Sequence, residues 1–348
     1  MMTVIQDFCK DISKYYPDVN DFYGWFIANC VLNGILSLFA VLGNTTIICA
    51  FKNMTCSLSA SKILLLGLAM SDLGVGLVVQ PLYIAVITEM FDDGSVSPAS
   101  RCKTKIAFLV VGCFLAGASF FTVSATSFDR FLSISLHLRY NEIVTEKKTV
   151  VTLIILWTLS AIAAIGYLLL GDVTREAVST TFSVIFFVTT TVTFLRIYIA
   201  VRRHRLQISA QQRSAEENYK QVALNRRKYK SVINILYLYL VFTACYFPYG
   251  CATMIIASTN HGQALKVFFH ISLTLAFLNS SLNPIIFCWR MREIRVYVVE
   301  VVAKMLPCLR ADQVFRATGD LSTVRTSFCD HKRETSLRMK QASTCSHN

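Results

Sequence analysis

Apolar residues are gathered into long stretches with at most one charged side chain, and most charged residues lie in the segments between them. The stretch between Asp21 and Lys52 contains 30 uncharged residues, and five later stretches contain between 19 and 35 each. The 26 residues between Lys62 and Glu89 contain one charge, Asp72. A helix of about 20 apolar residues crosses a hydrocarbon core of about 30 Å and satisfies its own backbone hydrogen bonds there. The pattern predicts an all-α membrane protein, a bundle of seven transmembrane helices. We number them spans 1 to 7, within residues 22–51, 63–88, 106–128, 149–171, 177–195, 231–257 and 267–289.

The composition supports membrane insertion. Hydrophobic residues make up 54% of the 348 residues, and charged residues make up 16%. Soluble domains contain about 25% charged residues. A soluble all-α protein of this length would need more charge to cover its surface.

The net charge of +13 is concentrated on one side of the predicted bundle. The inner loops and the C-terminal segment sum to +16, whereas the first 24 residues sum to −2. An excess of Lys and Arg marks the cytoplasmic face of a membrane protein. We therefore expect an extracellular N-terminus, a cytoplasmic C-terminus and contacts of the basic face with anionic lipids, and no nucleic-acid partner.

Four regions follow from this topology. Residues 1–24 form an extracellular N-terminal segment without the apolar core of a cleavable signal peptide, and residues 25–288 form the seven-helix domain. Residues 289–306 place apolar side chains at helical spacing among charged ones, which predicts an amphipathic helix on the inner membrane surface. Residues 307–348 are polar and rich in Ser and Thr, which is typical of a disordered cytoplasmic tail.

Polar groups inside spans are costly, so each one marks a candidate functional site. Span 2 carries Asp72 in LAMSDL, span 3 ends in SFDRF, and span 7 carries NSSLNPIIF. Gly43 and Asn44 in span 1, Trp157 in span 4 and Pro248 in the CYFP of span 6 complete the set. In this order on seven spans, the set resembles the rhodopsin-like G-protein-coupled receptors over residues 25–305. A short loop before span 5, without cysteine, and a span 5 without proline resemble the branch of melanocortin, lysophospholipid, cannabinoid and adenosine receptors.

The resemblance implies a receptor at the plasma membrane rather than an enzyme. Such a protein transmits the binding of an extracellular ligand to a heterotrimeric G protein, and arrestin and a receptor kinase would be further cytoplasmic partners. The alternative is a scavenging or decoy receptor that couples weakly, because Tyr246 and Phe287 replace the usual Trp and Tyr of the family. Lys228 stands where many members have an acid that pairs with the arginine of span 3, so we expect raised basal activity.

The resemblance also assigns an activation switch. Arg130 would leave Asp129 and contact the G protein, while Pro248 removes a backbone hydrogen bond and kinks span 6. The switch residues are Asp129, Arg130, Tyr246, Pro248, Asn283, Pro284 and Phe287.

A sodium site in the bundle core is a further implication of the resemblance. Its residues here are Asp72, Ser119, Asn279, Ser280 and Asn283. A sodium ion held by hydroxyl and amide oxygens would compensate the isolated carboxylate, and a protonated Asp72 in a water network is the alternative. We expect no other metal or cofactor, because no two histidines share a helical face inside a span.

Of the twelve cysteines, only Cys9 and Cys102 fall in predicted outer segments. The disulfide that the family usually forms with the second outer loop is excluded, because that loop contains no cysteine. A Cys9–Cys102 bridge that ties the N-terminal segment over the pocket is one interpretation, and two free thiols is the other. Cys308, just after the amphipathic helix, is either palmitoylated or an unmodified thiol.

The outer half of the bundle is the expected ligand pocket. Gly112 stands where amine receptors need an acid, and Phe277 stands where opsins need a lysine, so amines and retinal are disfavoured. The mostly neutral wall favours a lipid-like, nucleoside-like or peptide ligand. We interpret Arg101, Lys103 and Lys105 at the rim as solvated charges, although they would also attract an acidic ligand. The wall residues are Gln80, Leu109, Gly112, Cys113, Tyr246, Tyr249, Thr253 and His270.

Two ligand-binding signatures of the resembling branch are absent. Lys105 and Leu109 stand where melanocortin receptors carry acids that grip a ligand arginine. Thr253 replaces the asparagine with which adenosine receptors grip adenine.

Overall fold

The computed structural model describes residues 19–53, 59–91, 96–135, 139–170, 240–256, 262–291 and 294–299, with scattered positions between 174 and 199. Five helices in these ranges are long and apolar enough to cross a membrane, and they correspond to spans 1, 2, 3, 4 and 7. A shorter apolar helix, Leu240–Ile256, corresponds to span 6. The described positions between 174 and 199, where the sequence predicts span 5, are helical.

The described helices are α-helical apart from one segment of span 2. Span 2 contains a π-helical segment, Val75–Val79, between its two α-helical parts. A single helical turn in the second inner loop precedes span 4. The α-helices are Val19–Lys52, Ala60–Gly74, Gln80–Thr88, Pro98–Ser135, Tyr140–Ile143, Glu146–Leu168, Leu240–Ile256 and Gln263–Arg290.

Two helix ends lie outside the predicted domain limits of 25 and 288. The first helix begins at Val19 and is kinked at Phe22, where the backbone is not helical (φ −121°, ψ 16°). The last spanning helix continues to Arg290, where its polar end no longer needs to lie in the hydrocarbon layer. Hydropathy marks the part of a helix that lies in lipid and does not mark its first and last turns.

Local sequence explains how span 4 begins and how span 2 accommodates its irregular turn. The Thr145 side chain caps span 4 by accepting a hydrogen bond from the backbone nitrogen of Lys148 at 3.4 Å. In span 2, the Ser37 hydroxyl of span 1 donates to the Gly76 carbonyl oxygen at 2.8 Å, which satisfies an acceptor within the π-helical segment.

Two apolar clusters fill the bundle, with a polar layer between them. The inner cluster comprises Ile47, Phe51, Leu68, Ala69, Val123, Phe242, Phe287 and Ile294. The outer cluster comprises Phe26, Val75, Val79, Tyr83, Ile87, Leu115, Leu273 and Phe277. Asp72 lies in the polar layer and is fully buried.

The outward faces of the spans are apolar as well. Leu38, Phe39 and Leu42 of span 1 are each more than 60% exposed, and Ile154 and Ile162 of span 4 are exposed in the same way. Side chains of this kind on the outside of a bundle are suited to lipid and would be unfavourable in water. The described helices therefore agree with an all-α membrane bundle.

Part of the predicted amphipathic helix is described and docks on the bundle. Residues 294–299 are helical, with Ile294 fully buried in the inner cluster and Arg295 exposed. The Asn53 amide donates to the Tyr297 hydroxyl at 3.0 Å, which links this helix to the end of span 1. The rest of this prediction, residues 292–293 and 300–306, lies outside the described residues, as do residues 1–18 and the predicted tail, residues 307–348.

Candidate functional site

The inner end of span 3 carries a buried carboxylate with three partners. Asp129 is 4% exposed. The Ser61 hydroxyl of span 2 donates to its Oδ2 at 2.8 Å, and the Tyr140 hydroxyl of the inner loop donates to its Oδ1 at 2.5 Å. The Arg130 guanidinium lies 3.3 Å from Oδ2. The carboxylate therefore holds together span 2, the inner loop and the arginine, and we call these four residues the Asp129 hub.

The Tyr140 phenol stays protonated and therefore remains a hydrogen-bond donor in the Asp129 hub. Burial raises the pKa of the Tyr140 phenol, and the hydrogen bond to Asp129 and the charge of Asp129 raise it further. The phenol is consequently protonated at any cytosolic pH. Asp129 and Arg130 were expected from the sequence, whereas Ser61 and Tyr140 were not.

All five residues of the predicted sodium site are buried in the polar layer of the bundle. The Asn283 amide donates to Asp72 Oδ2 at 2.6 Å. Ser119 shares a hydrogen bond of 2.9 Å with Ser71. Asn44 of span 1 donates to the Ser280 carbonyl oxygen at 3.0 Å and thereby joins span 1 to the same layer.

The oxygen atoms in this layer are of the kind that bind a hard cation. Several buried oxygens form no hydrogen bond with any described residue, and Asp72 supplies the negative charge. Hard cations prefer oxygen ligands such as these. The residues therefore fit a sodium ion, which would supply the positive charge that balances the carboxylate. The atoms without a hydrogen-bond partner are Asn44 Oδ1, Asp72 Oδ1, Asn279 Oδ1 and Nδ2, and Asn283 Oδ1.

In the described part of the chain, no three His, Cys, Asp or Glu side chains form a group that could hold a metal ion. The predicted sodium residues differ from such a group, because they combine one carboxylate with amide and hydroxyl oxygens.

Spans 1 and 7 approach each other closely beside the sodium cluster. Pro284 lies inside the last spanning helix. A Cβ atom added to Gly43 would lie 2.7 Å from Pro284 Cγ. Only glycine permits this approach without displacement of one of the helices. Phe287, about one turn further on, is buried in the inner cluster.

Span 6 places two stacked aromatic rings below the predicted pocket. The rings of Phe242 and Tyr246 lie 4.5 Å apart with an interplanar angle of 23°. Phe242 belongs to the inner cluster, and Tyr246 packs against it. Pro248 lies in the middle of the described helix. Lys228 lies outside the described residues.

The structure divides the predicted ligand pocket into two groups. The first group lies on spans 3 and 6 and is half-buried; it consists of Leu109, Gly112, Cys113, Tyr246, Tyr249 and Thr253. The second group, Gln80 of span 2 and His270 of span 7, is fully buried. These two side chains belong to a hydrogen-bonded network between spans 1, 2 and 7, which the sequence does not predict.

The three basic residues at the rim of the predicted pocket differ in their exposure. Lys103 is exposed, whereas Arg101 and Lys105 are half-buried. Beside them, the Thr104 hydroxyl donates to Glu89 Oε1 at 2.8 Å and connects the outer ends of spans 2 and 3. Only Lys103 of the three basic residues thus has the surroundings of a freely solvated charge.

The cysteines also fall into two classes. Cys102 is disulfide-bonded. The remaining cysteines of the described part are free, namely Cys30, Cys49, Cys113, Cys245, Cys251 and Cys288. Cys9 and Cys308 lie outside the described residues.

Comparison with known sequences gives the family. Residues 43–287 match the family described as "7 transmembrane receptor (rhodopsin family)". This chain belongs to that family. The receptor is therefore coupled to G proteins at the cell surface, with an extracellular ligand and a G protein as partners, and it is not an enzyme.

Several curated receptors are similar to this one over much of its length. The adenosine receptor A2a of Homo sapiens is 23% identical over 338 residues, covering 87% of this chain and 78% of its own. The melatonin receptor type 1A of Phodopus sungorus is 23% identical and covers 71% of this chain and 72% of its own. The melanocortin receptor 5 of Mus musculus is 25% identical and covers 55% of this chain and 58% of its own.

Proposed function

We propose that this receptor responds to a small neutral ligand at the plasma membrane, with its N-terminus outside and its C-terminus in the cytosol. The observation that supports G-protein signalling is the Asp129 hub. It holds Arg130 at the end of span 3 that lies on the strongly basic side of the bundle. A G protein that binds on this side must compete with Asp129 for the arginine, so the hub sets the threshold for activation.

Neutral ligands are supported by the half-buried part of the pocket wall. The half-buried wall residues of spans 3 and 6 are apolar, aromatic, thiol or hydroxyl side chains without formal charge. Few polar groups in an apolar wall are typical of small-molecule sites. Nucleosides are the first class to test, because the adenosine receptor A2a is among the relatives. Because Thr253 replaces the asparagine with which adenosine receptors grip adenine, a nucleoside would bind here in a different way. Lipids and peptides are the next ligand classes to test.

The remaining partners act on the cytoplasmic side or in the bundle core. Sodium is the proposed occupant of the Asp72 cluster, and anionic lipids are the proposed partners of the basic inner face. Arrestin and a receptor kinase would act on the Ser- and Thr-rich segment 307–348, and Cys308 is a palmitoylation candidate.

G-protein activation in membranes of transfected cells tests the signalling proposal. Nucleotide exchange is measured with each G-protein class, without ligand and with nucleoside, lipid and peptide sets. We expect a ligand-free signal above that of mock membranes, and a loss of at least tenfold in Arg130→Ala. The matched control is Lys103→Ala, which removes an exposed basic side chain from the outer rim and leaves the ligand-free signal unchanged. A wild-type signal equal to mock under every condition contradicts the proposal.

A further inference from the structure

A buried arginine lies in the second outer loop, just before span 5. Arg175 is 7% exposed, although the described residues near it, Thr174 and Ala177, are exposed. Among the described positions between 174 and 199, it is the only buried one. An arginine is rarely buried without partners, because a charge that leaves water loses its hydration. The contacts of Arg175 therefore indicate what its side chain does.

The guanidinium of Arg175 binds carbonyl oxygens at the end of span 4. Its Nη2 donates to the Leu170 oxygen at 2.6 Å, and its Nε donates to the Tyr167 oxygen at 3.5 Å. The first distance is that of a strong hydrogen bond from a charged donor, whereas the second contact is weaker. One carbonyl group in the last turn of the helix and one just beyond it are thus held by the same side chain.

The end of span 4 is a place that attracts a cation. The helix Glu146–Leu168 closes with a tight turn, in which the Leu169 nitrogen donates to the Gly166 oxygen at 3.0 Å. The last carbonyl groups of a helix find no donor within it, and together they carry a partial negative charge. The last turn of this helix contains no basic residue of its own. The positive charge comes instead from Arg175, across the loop.

The beginning of span 5 is held at a second point, against span 3. Phe182 follows Arg175 by seven residues, which correspond to two turns of an α-helix. Its ring lies 5.7 Å from that of Phe120 of span 3, with an interplanar angle of 72°. Such an edge-to-face arrangement is favourable for a pair of aromatic rings. Span 5 is consequently attached to span 4 through Arg175 and to span 3 through Phe182.

We propose that Arg175 is a positioning residue, whose charge fastens the outer start of span 5 to the end of span 4. The loop between these spans cannot be tied covalently, because residues 169–179 contain no cysteine. A charge held against backbone carbonyl groups takes the place of such a tie. The position of span 5 beside the pocket wall of span 3 then depends on an interaction that reduction does not break. This role is independent of the ligand and of the G protein.

Hydrogen–deuterium exchange of the purified full-length receptor in lipid nanodiscs tests this role. Mass spectrometry follows the peptide that covers residues 164–182. The wild type is compared with Arg175→Gln, which removes the charge, and with Arg175→Lys, which keeps it. Arg196→Gln is the matched control, because it removes an exposed arginine from the other end of the same span.

We expect this peptide to exchange about fivefold faster in Arg175→Gln, because the end of span 4 loses its cation and the start of span 5 is released. Arg175→Lys and Arg196→Gln should exchange at the wild-type rate, since an ammonium group can still donate to the Leu170 oxygen. Equal rates in Arg175→Gln and the wild type would overturn the proposal. An Arg175→Lys receptor as fast as Arg175→Gln would do so too, because charge would then not be the cause. The helix Ala60–Gly74 serves as an internal reference, and faster exchange there would show a general loss of structure rather than the release of span 5.

A measurement on the wild type covers the case in which Arg175→Gln does not fold. Cys102 is disulfide-bonded, and reduction with tris(2-carboxyethyl)phosphine opens its bond. We expect the peptide 164–182 to exchange at the same rate before and after reduction. Exchange that becomes about fivefold faster on reduction would show that the Cys102 disulfide holds this loop, and the role of Arg175 would be refuted.

Discussion

The Tyr140 hydroxyl donates a 2.5 Å hydrogen bond to Asp129 Oδ1 and thereby ties the second inner loop to the end of span 3. The other carboxylate oxygen is held by Ser61 and Arg130. With both oxygens engaged, Asp129 keeps its position and restrains the guanidinium beside it. Release of Arg130 toward a G protein therefore has to break a set of contacts that extends beyond the pair itself.

Loss of the Tyr140 hydroxyl should weaken this restraint. We expect Tyr140→Phe to raise the ligand-free G-protein signal about threefold, because a hydrogen bond to a charged group is removed while the ring remains. The control is Tyr23→Phe at the exposed outer end of span 1, which should leave the signal unchanged. Nucleotide exchange at matched surface expression measures the effect. An unchanged signal in Tyr140→Phe would show that the loop contact does not restrain Arg130.

The contact between Gly43 and Pro284 predicts a steric effect on stability. A methyl group on Gly43 would overlap Pro284, so Gly43→Ala should destabilise the receptor by about 1–3 kcal/mol. Gly34→Ala on the same helix is the control, since a Cβ atom there meets nothing within 4 Å. Thermal unfolding of the purified proteins compares them. Equal midpoints for both variants would contradict the close packing of spans 1 and 7.

The sodium proposal predicts an ion-specific stabilisation. The purified receptor should unfold at a temperature about 2–4 °C higher in sodium chloride than in the same concentration of choline chloride. Asp72→Asn should abolish this difference, because it removes the charge that balances the ion. Ser37→Ala lies outside the cluster and should retain it. A wild-type receptor with no preference for sodium would instead support a protonated Asp72.

The interpretation of Cys9 and Cys102 as a disulfide pair predicts a bridge that can be mapped chemically. Peptide mapping without reduction should recover the two cysteines in one cross-linked fragment. Cys9→Ser, Cys102→Ser and the double variant should all lose stability to the same extent, about 2–5 kcal/mol, because each removes the same bond. Cys30→Ser removes a free thiol and serves as the control. Recovery of Cys9 in alkylated form would exclude the bridge.

The length and charge pattern of the chain were sufficient to predict the bundle. Membrane spans are dictated by the cost of unsatisfied backbone groups in lipid, which leaves a strong signal along the sequence. The same holds for Asp72, whose isolation in an apolar stretch drew attention to the layer that it shares with Asn283. Helix ends were less predictable, as the early start at Val19 shows, because the first turn of a helix can extend into water.

The partners within each site were harder to predict than its central residues. Ser61 and Tyr140 come from different segments, and nothing in the sequence indicates that both reach Asp129. Asn29 and Asn33, which belong to the hydrogen-bonded network between spans 1, 2 and 7, did carry a signal, since two amides four residues apart in an apolar span share one helical face. The cost of polar groups in lipid, which singles out Asp72, applies to them as well. Which polar groups meet depends on how the spans pack.

Seven crossings place the two ends of the chain on opposite sides of the membrane, and this is the most direct test of the account. Epitope tags at the N- and C-termini are probed with antibodies on intact and on permeabilised cells. We expect the N-terminal tag to be accessible on intact cells and the C-terminal tag only after permeabilisation. Detection of both tags on the same side would contradict seven spans and would remove Arg130 from the cytoplasmic face.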